Sequence, residues 1–269
     1  MNVSTEQLGT RLAAQEKSRA FPPLSEKVAE VSRAHYKMRL ARCPEDVRAA
    51  QVLRFVVFNL ELQEGFEQSY ATCLDADAFD PICDHLIVED ERTGEVVGTY
   101  RLQTGTTAAA NLGYYSAQEF DFSPFEPWRR EFVELGRACV HSNHRNLIVL
   151  GLLWKGIASY AQAHGCRYLI GCSSLTSQDP AVGVAAFAEI QSCLASPEMR
   201  TNPLPAFACL ADGAPVAAPK IPKLLSAYLA LGARICGPPA IDREFKTIDF
   251  LTLLDLNSLS AKMVARYLS

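Results

Sequence analysis

The chain has 269 residues, of which 49% are hydrophobic and 21% are charged, so it can bury one sizeable core. Its formal net charge of −4 gives no support for binding of nucleic acid, which calls for a basic surface. No apolar run reaches the length of a membrane span, and the N-terminus lacks a signal-peptide core. Nine cysteines without a CxxC pair suit the reduced thiols of a cytoplasmic protein.

Residues 1–33 are polar and charged, and we interpret them as an extension that precedes a single domain over residues 34–269. The first predicted elements of that domain are a strand over residues 35–41 and a helix that begins near Pro44. Proline in the first turn, followed by two acidic residues, is typical of a helix N-terminus. Apolar residues then recur every three or four positions as far as Leu60, as on a helix with one buried face.

An acidic cluster precedes two strands that are predicted to form a hairpin over residues 85–102. Its members are Asp75, Asp77, Asp80 and Asp84. Four like charges in ten positions need partners in a packed turn. Two interpretations stay open: ion pairs with Arg101 and Arg137, or attraction of a substrate amine. A calcium site is not predicted, because the glycine-bearing pattern of a calcium loop is absent.

The stretch from Glu131 to Ser174 is predicted to form a strand, a turn, a long helix and a second strand. Ser142 or Asn143 is the expected N-cap of the helix, and Gly165 is its expected C-terminal stop. A strand–helix–strand unit of this length predicts parallel strands joined by a right-handed crossover.

Polar residues in the first of these strands indicate a functional site. Glu134 and Arg137 would face opposite sides of a regular strand, because side chains alternate with a period of two. A one-residue bulge at Gly136 would bring both side chains to one face and free a backbone N–H there. The N-terminus of the following helix attracts anions, so an anion site is expected beside them. A buried Glu–Arg ion pair that only holds the sheet is the alternative.

The last third of the chain combines helical and irregular segments with one final strand. Asp179-Pro180 predicts a capped helix N-terminus. Six prolines over residues 197–222 predict a Pro-rich insertion, irregular or lid-like. A strand over residues 244–256 and a short helix around Lys262 follow. Strands that alternate with helices around a hairpin predict a mixed α/β sheet in three layers.

The segments ELGRACVHSNHRN and LLWKGIASYAQAHGCRYLIGCSSL resemble the central motif of the ornithine N-alpha-acyltransferases. The segments AAQVLRFVVFNLE, FDPICDHLIVED with VVGTYRL, and AIDREFKTIDFLTLLDL fit the same family. The resemblance covers roughly residues 34–256 and is specific as a set of motifs. That family is GNAT-type and is related to the acyl-homoserine-lactone and N-acyl amino acid synthases. The resemblance therefore implies a GNAT-type mixed sheet flanked by helices.

The resemblance implies an N-acyltransferase that moves a long-chain fatty acyl group from acyl carrier protein to the alpha-amine of ornithine. No tightly bound cofactor is expected, and the donor is an acyl-phosphopantetheine thioester on acyl carrier protein or on CoA. Two other enzymes remain as alternatives: a synthase with another amino acid acceptor, and a CoA-dependent acetyltransferase. A GNAT-like module that only binds is a further alternative.

N-acylation needs a base for the amine and a donor for the developing oxyanion. Glu134 is the expected general base, directly or through water, and a backbone N–H freed at the Gly136 bulge is the expected oxyanion donor. Arg137 would either hold the carboxylate of the acceptor or keep Glu134 ionised, and both roles stay open. The expected substrate-binding residues are Arg54, Asp80, Asp84, Arg101 and Ser173.

The expected cofactor-binding residues are His144, Arg145, Asn146 and Leu147. Acetyl-CoA enzymes of the superfamily carry a basic-x-x-Gly-x-Gly/Ala loop here. In this chain the corresponding run, which starts at His144, has no glycine until Gly151. The helix N-terminus can still take one phosphate. This departure favours acyl carrier protein, whose arm ends in a single phosphodiester.

Two further hypotheses concern thiol chemistry and the membrane. Cys139 with His141, or Cys83 with His85, suggests a thiol nucleophile, although neither pair has an evident orienting group. The histidines form no metal-binding pattern, so no metal site is expected. Apolar residues of the Pro-rich insertion are either a lid over the acyl tunnel or a contact with anionic lipid at the inner membrane. These residues and their flanking lysines are Leu204, Phe207, Lys220, Ile221 and Lys223.

Overall fold

The computed structural model describes residues 28–211, 216–217, 219–260 and 263. Over these residues, one mixed sheet of nine strands is flanked by helices on both faces, which confirms the predicted fold class. The strands are β1 (Val31–Arg33), β2 (Tyr36–Leu40), β3 (Asp84–Asp90), β4 (Glu95–Thr104), β5 (Phe132–Val140), β6 (Tyr168–Leu175), β7 (Arg234–Ile235), β8 (Ala240–Asp242) and β9 (Thr247–Asp255). The α-helices are α1 (Pro44–Phe55), α2 (Gly105–Ala110), α3 (Leu147–Ala163), α4 (Pro180–Glu189) and α5 (Lys223–Ala230).

The strand order is β1-β2-β3-β4-β5-β6-β9-β7, and β8 also pairs with β9. Neighbouring strands are antiparallel except β5 and β6, which are parallel and joined by α3 as predicted. β1 lies inside the stretch predicted as an extension, and Val28 packs against the core. Residues 1–27 and Lys262 lie outside the described residues.

Helix α3 covers one face of the sheet, over β2, β3 and β4. Its buried residues form a continuous apolar core with those strands. Gly156 lies so close to the sheet that a Cβ atom there would come within 2.6 Å of Leu86 Cδ1 and 2.9 Å of Met38 Sδ. The lack of a side chain therefore lets this helix pack tightly on the sheet.

The start of α3 differs from the prediction that Ser142 or Asn143 caps it. The segment Ser142–His144 forms a separate 3₁₀ turn, and the N-cap of α3 is Asn146. The Asn146 Oδ1 atom accepts hydrogen bonds from the N–H groups of Ile148 at 2.9 Å and Val149 at 3.0 Å. An asparagine at this position satisfies two N–H groups that the first helical turn leaves without partners.

The opposite face of the sheet is covered by α1, its π-helical continuation Val56–Glu61, and α2. In the described residues of the Pro-rich insertion, single 3₁₀ turns lie at Pro197–Met199 and Pro205–Phe207. Phe207 and Ile221 are partly buried against the core. None of the described helices combines the length and the apolar character needed to cross a bilayer.

Candidate active site

Strands β5 and β6 pair over three residues only and then separate. The last pair is Glu134 with Ile170, after which β6 continues alongside β9 as far as Leu175. Gly171 stands where the strands part, and a Cβ atom there would lie 2.2 Å from the carbonyl oxygen of Leu135. A cavity of about 370 Å³ occupies the gap, lined by residues of both strands. We call this gap the fork.

The predicted bulge is present in β5, but it is not at Gly136. Gly136 pairs regularly with Arg101, and the next pair is Thr99 with Cys139, so β5 has one extra residue between these pairs. Arg137 adopts a positive φ of 50°, which makes this residue part of the bulge. The extra residue brings the Arg137 side chain to the face that Glu134 occupies, and both line the cavity.

Glu134 is 4% exposed, and three donors bind its carboxylate. Its carboxylate accepts hydrogen bonds from the N–H groups of Tyr115 and Ser116, both at 2.8 Å, and from Gln103 Nε2 at 2.6 Å. The structure describes no ion pair between Glu134 and Arg137 within residues 28–211, which removes the alternative of a Glu–Arg pair that holds the sheet. The backbone around Tyr115 is instead anchored to the strand through this carboxylate.

Three of the four aspartates of the acidic cluster form a buried ion-pair network with three arginines, which we call the ion network. Its members are Arg54, Asp75, Asp77, Asp80, Arg101 and Arg137. Arg137 contacts Asp75 at 3.2 Å and Asp77 at 3.0 Å. Burial alone would raise the pKa of Asp77, but the guanidinium groups of Arg101 and Arg137 lower it below its ordinary value. Three positive and three negative groups thus balance, in agreement with the ion-pair interpretation.

The predicted substrate-binding residues divide into two groups. Arg101 and Ser173 line the cavity. Arg54 and Asp80 are buried inside the ion network, with Arg54 Nη2 2.6 Å from Asp80 Oδ2, and neither lines the cavity. Asp84 accepts a hydrogen bond from Tyr160 of α3 at 2.6 Å, on the other face of the sheet.

The predicted cofactor-binding residues lie around the start of α3 and outside the cavity lining. His144 Nδ1 lies 3.0 Å from the Tyr36 hydroxyl, and Arg145 pairs with Glu61 at 2.7 Å. Leu147 is 74% exposed. Because the Asn146 side chain already accepts two N–H groups of the first turn, an anion at this helix N-terminus would compete with the cap.

The cavity has an apolar wall and a polar wall, on opposite faces of the sheet. The apolar wall, on the α3 face, includes Tyr100, Trp154, Leu169, Leu224, Tyr228, Ala233 and Leu254. The polar wall, on the α1 face, includes Glu64, Arg101, Gln103, Tyr115, Glu134, Arg137, Cys172 and Asp249. The Tyr100 and Tyr228 hydroxyls bond to each other, so the apolar wall buries no free hydroxyl there.

Sequence reasoning missed a pair of buried acids, Asp249 of the polar wall and Glu119 next to it. One oxygen of each and the Cys172 sulfur lie within 4.8 Å of one another. Burial raises the pKa of Asp249 to about 6, and burial beside Asp249 raises the pKa of Glu119 well above its ordinary value. The available signal was a carboxylate at an inward position of a strand that is otherwise apolar, TIDFLTLL.

Neither cysteine–histidine pair suits a thiolate nucleophile. Burial raises the pKa of the Cys83 thiol to about 12, and it raises that of Cys139 as well. His85 Nε2 lies 3.0 Å from the Asp80 carbonyl oxygen. Both thiols therefore stay protonated at neutral pH, and the thiol-nucleophile hypothesis loses its support.

The raised pKa of Asp249 predicts a pH-dependent stability. Between its ordinary value of about 4 and the folded value of about 6, the folded protein binds more protons than the unfolded chain, so stability falls as pH rises. Between pH 5 and pH 8 the unfolding free energy of wild type should therefore fall by about 1–2 kcal/mol, measured by urea unfolding. Asp249→Asn cannot titrate there, so its unfolding free energy should rise by that amount relative to wild type. Asp255→Asn, on the same strand, is the control, because Arg167 lowers the pKa of Asp255. Parallel pH profiles for wild type and Asp249→Asn would contradict the expectation.

Comparisons with known proteins agree with this geometry. Residues 53–155 match the acetyltransferase (GNAT) domain family. FeeM, an N-acyl amino acid synthase from uncultured soil microbes, shares the fold with a TM-score of 0.53 at 13% identity, over 86% of this chain and 98% of FeeM.

Two curated relatives are much closer in sequence. The L-ornithine N(alpha)-acyltransferase of Agrobacterium fabrum is 35% identical over 85% of this chain and 84% of its own length. The enzyme of the same name from Rhodobacter capsulatus is 34% identical over 84% of this chain and 92% of its own. At this identity and coverage, the chain belongs to the L-ornithine N(alpha)-acyltransferase family and is an acyltransferase.

Proposed function

We propose that the protein transfers a long-chain fatty acyl group from acyl carrier protein to the alpha-amine of ornithine. The observation that carries the proposal is the cavity at the fork, with its apolar and polar walls on opposite faces of the sheet. A fatty chain suits the first wall, and a zwitterionic amino acid suits the second. The thioester and the amine would then meet where β5 and β6 part.

The apolar wall supports a long chain as the transferred group. Its side chains come from the sheet, from α3 and from α5. Pro222, the last residue of the Pro-rich insertion, and Leu224 of α5 also line the cavity. With Phe207 and Ile221 partly buried, this placement favours the lid interpretation of the insertion over contact with membrane lipid.

The polar wall supports the amino acid as acceptor. Arg101 Nη2 is buried and has no hydrogen-bond partner among the described residues, although its Nη1 contacts Asp77 and Asp80. A guanidinium with a free donor can bind the alpha-carboxylate of the acceptor. We assign this role to Arg101 and Arg137 together. Arg137 pairs with Asp75 and Asp77 and not with Glu134, so of its two expected roles the one toward the acceptor carboxylate remains.

Glu134 is the proposed general base, acting through a water molecule. A carboxylate has about four acceptor positions. Three donors occupy three of these positions on the Glu134 carboxylate, which leaves one for the water molecule that takes the proton of the amine. The bulge at Arg137 supplies the proposed oxyanion donor, a backbone N–H close to Gly136.

The donor decides between the proposed function and a CoA-dependent acetyltransferase. The run from His144 to Leu150 has no glycine, and Asn146 caps α3. Both features support a donor with a single phosphodiester. Purified protein would be assayed with ornithine and three donors: long-chain acyl carrier protein, long-chain acyl-CoA and acetyl-CoA. We expect the carrier-bound donor to give the highest kcat/KM, with acyl-ornithine detected by mass spectrometry. Preference for acetyl-CoA would overturn the long-chain proposal.

A substitution in the apolar wall tests where the fatty chain lies. Ala233 is buried and lines the cavity, so Ala233→Leu would fill part of the space available to the chain. We expect the preferred acyl length to become shorter, in competition assays with a mixture of acyl chains. Ala230→Leu, at an exposed position of α5, should leave the preference unchanged. An identical chain profile for both variants would place the chain elsewhere.

The role of Glu134 is tested against its structural contacts. Loss of a general base should make Glu134→Gln at least about a hundredfold slower in kcat. Gln103→Ala removes one donor to the same carboxylate but keeps the carboxylate, so it should slow the reaction less than about tenfold. Circular dichroism would establish that both variants are folded. Equal losses in the two variants would make Glu134 an anchor of the Tyr115 segment and not the base.

A further inference from the structure

Apart from the arginines of the ion network, every acidic or basic residue that lines the cavity is an acid. Within that network, three arginines balance three aspartates. Two of the lining acids, Glu134 and Asp242, accept hydrogen bonds from backbone N–H groups. Three further buried acids line the cavity or lie next to its lining, and the structure describes no ion pair for any of them over residues 28–211 and 219–260. They are Glu64, Glu119 and Asp249. We call these three residues the acid end of the cavity.

The acid end is poorly satisfied by the protein itself. Asp249 is 4% exposed, and its carboxyl group interacts with Ser174, Glu119 and Thr247, but its Oδ1 atom accepts no hydrogen bond from an N–H or hydroxyl group of the described residues. Glu119 is 3% exposed, and its Oε2 atom also lacks a partner there. Glu64 accepts a hydrogen bond from Thr176. No N–H or hydroxyl group of the described residues reaches these two buried oxygens, so either a proton shared by the two acids or a ligand must supply their donor.

The place of the acid end matches the length of a diamino acid. Asp249 lies opposite Ser174 on the neighbouring strand, and its carboxylate is close to Cys172. Cys172 is two residues beyond the last β5–β6 pair at Ile170, or about 6.6 Å along the strand. An extended ornithine separates its two nitrogen atoms by about 6 Å, over five bonds.

We propose that the acid end binds the side-chain ammonium of the acceptor and thereby selects diamino acids over neutral ones. The proposal rests on the proposed acyl transfer to an amino acid. Without an acceptor, Glu119 and Asp249 share a proton, because two carboxylates so close together disfavour double ionisation. An ammonium group carries three donors and one positive charge, so it can replace that proton and donate to both acids. A neutral side chain cannot replace the proton and gains no contact with the acids.

Kinetic discrimination between ornithine and norvaline tests the proposal, because norvaline is ornithine without the side-chain amine. With long-chain acyl carrier protein as donor, we expect wild type to prefer ornithine at least about a hundredfold in kcat/KM. Asp249→Asn should reduce this ratio at least about tenfold, and Glu119→Gln should reduce it in the same direction. Asp255→Asn, the same change on the same strand but paired with Arg167 outside the cavity, should keep the wild-type ratio.

Calorimetric titration of wild type with ornithine and with norvaline, without donor, gives a readout that needs neither turnover nor a folded variant. Tighter binding of ornithine is expected. Equal binding and equal kcat/KM would overturn the ammonium site while leaving the acyltransferase proposal intact. No acylation of either amino acid would overturn the proposed function, and the titration would still decide the ammonium site. A preference that disappears with a chelator and returns with Zn²⁺ would assign the acid end to a metal instead.

Discussion

The candidate active site depends on the charge balance of the ion network. Removing a charged group from water is expensive, and the cost is offset only when each ion finds a partner with good geometry. Here Arg54 from α1, Arg101 from β4 and Arg137 from β5 share the carboxylates of one short segment before β3. The network therefore ties a helix, a loop and two strands into one rigid wall of the cavity. It also leaves the Nη2 atom of Arg101, a residue that lines the cavity, without a hydrogen-bond partner among the described residues.

The second constraint is steric and lies at the fork. Gly171 brings the backbone of β6 against the carbonyl of Leu135 at the point where pairing stops. The bulge at Arg137 then carries β5 away from β6 with its polar side chains on one face. Pairing with β9 keeps β6 in place while β5 departs. The gap is thus a stable part of the sheet, held open by strands on either side.

Much of the fold follows from local patterns, and less of the site does. The alternation of strand and helix, the crossover, the Asp179 cap and the bulge near Gly136 are signals within a few neighbouring residues, and the structure contains each of them. The position of the bulge was wrong by one residue, because strand pairing with β4 decides it. Asn146 was missed as the cap, since several polar residues before α3 fit that role equally well.

Long-range contacts explain the remaining differences. Arg54 fits a substrate-binding residue by its motif, but its partners Asp75 and Asp80 lie far along the chain and bury it completely. Glu119 and Asp249 meet only because a loop and the last long strand are brought together by the sheet. Neither residue belongs to a local sequence pattern from which its partner could be predicted. Such pairs become visible only when the strand order is known.

The shape of the fork also bears on how a product leaves. An acyl amino acid made there would pass through the plane of the sheet, with its tail on the α3 face and its head on the α1 face. If the opening in the sheet were closed on all sides, either the apolar acyl chain or the charged amino acid would have to pass through it. Strands β5 and β6 are hydrogen-bonded at one end only, so the gap between them is open at the other end. The product can leave through that open end while its acyl chain stays on the α3 face and its amino acid stays on the α1 face.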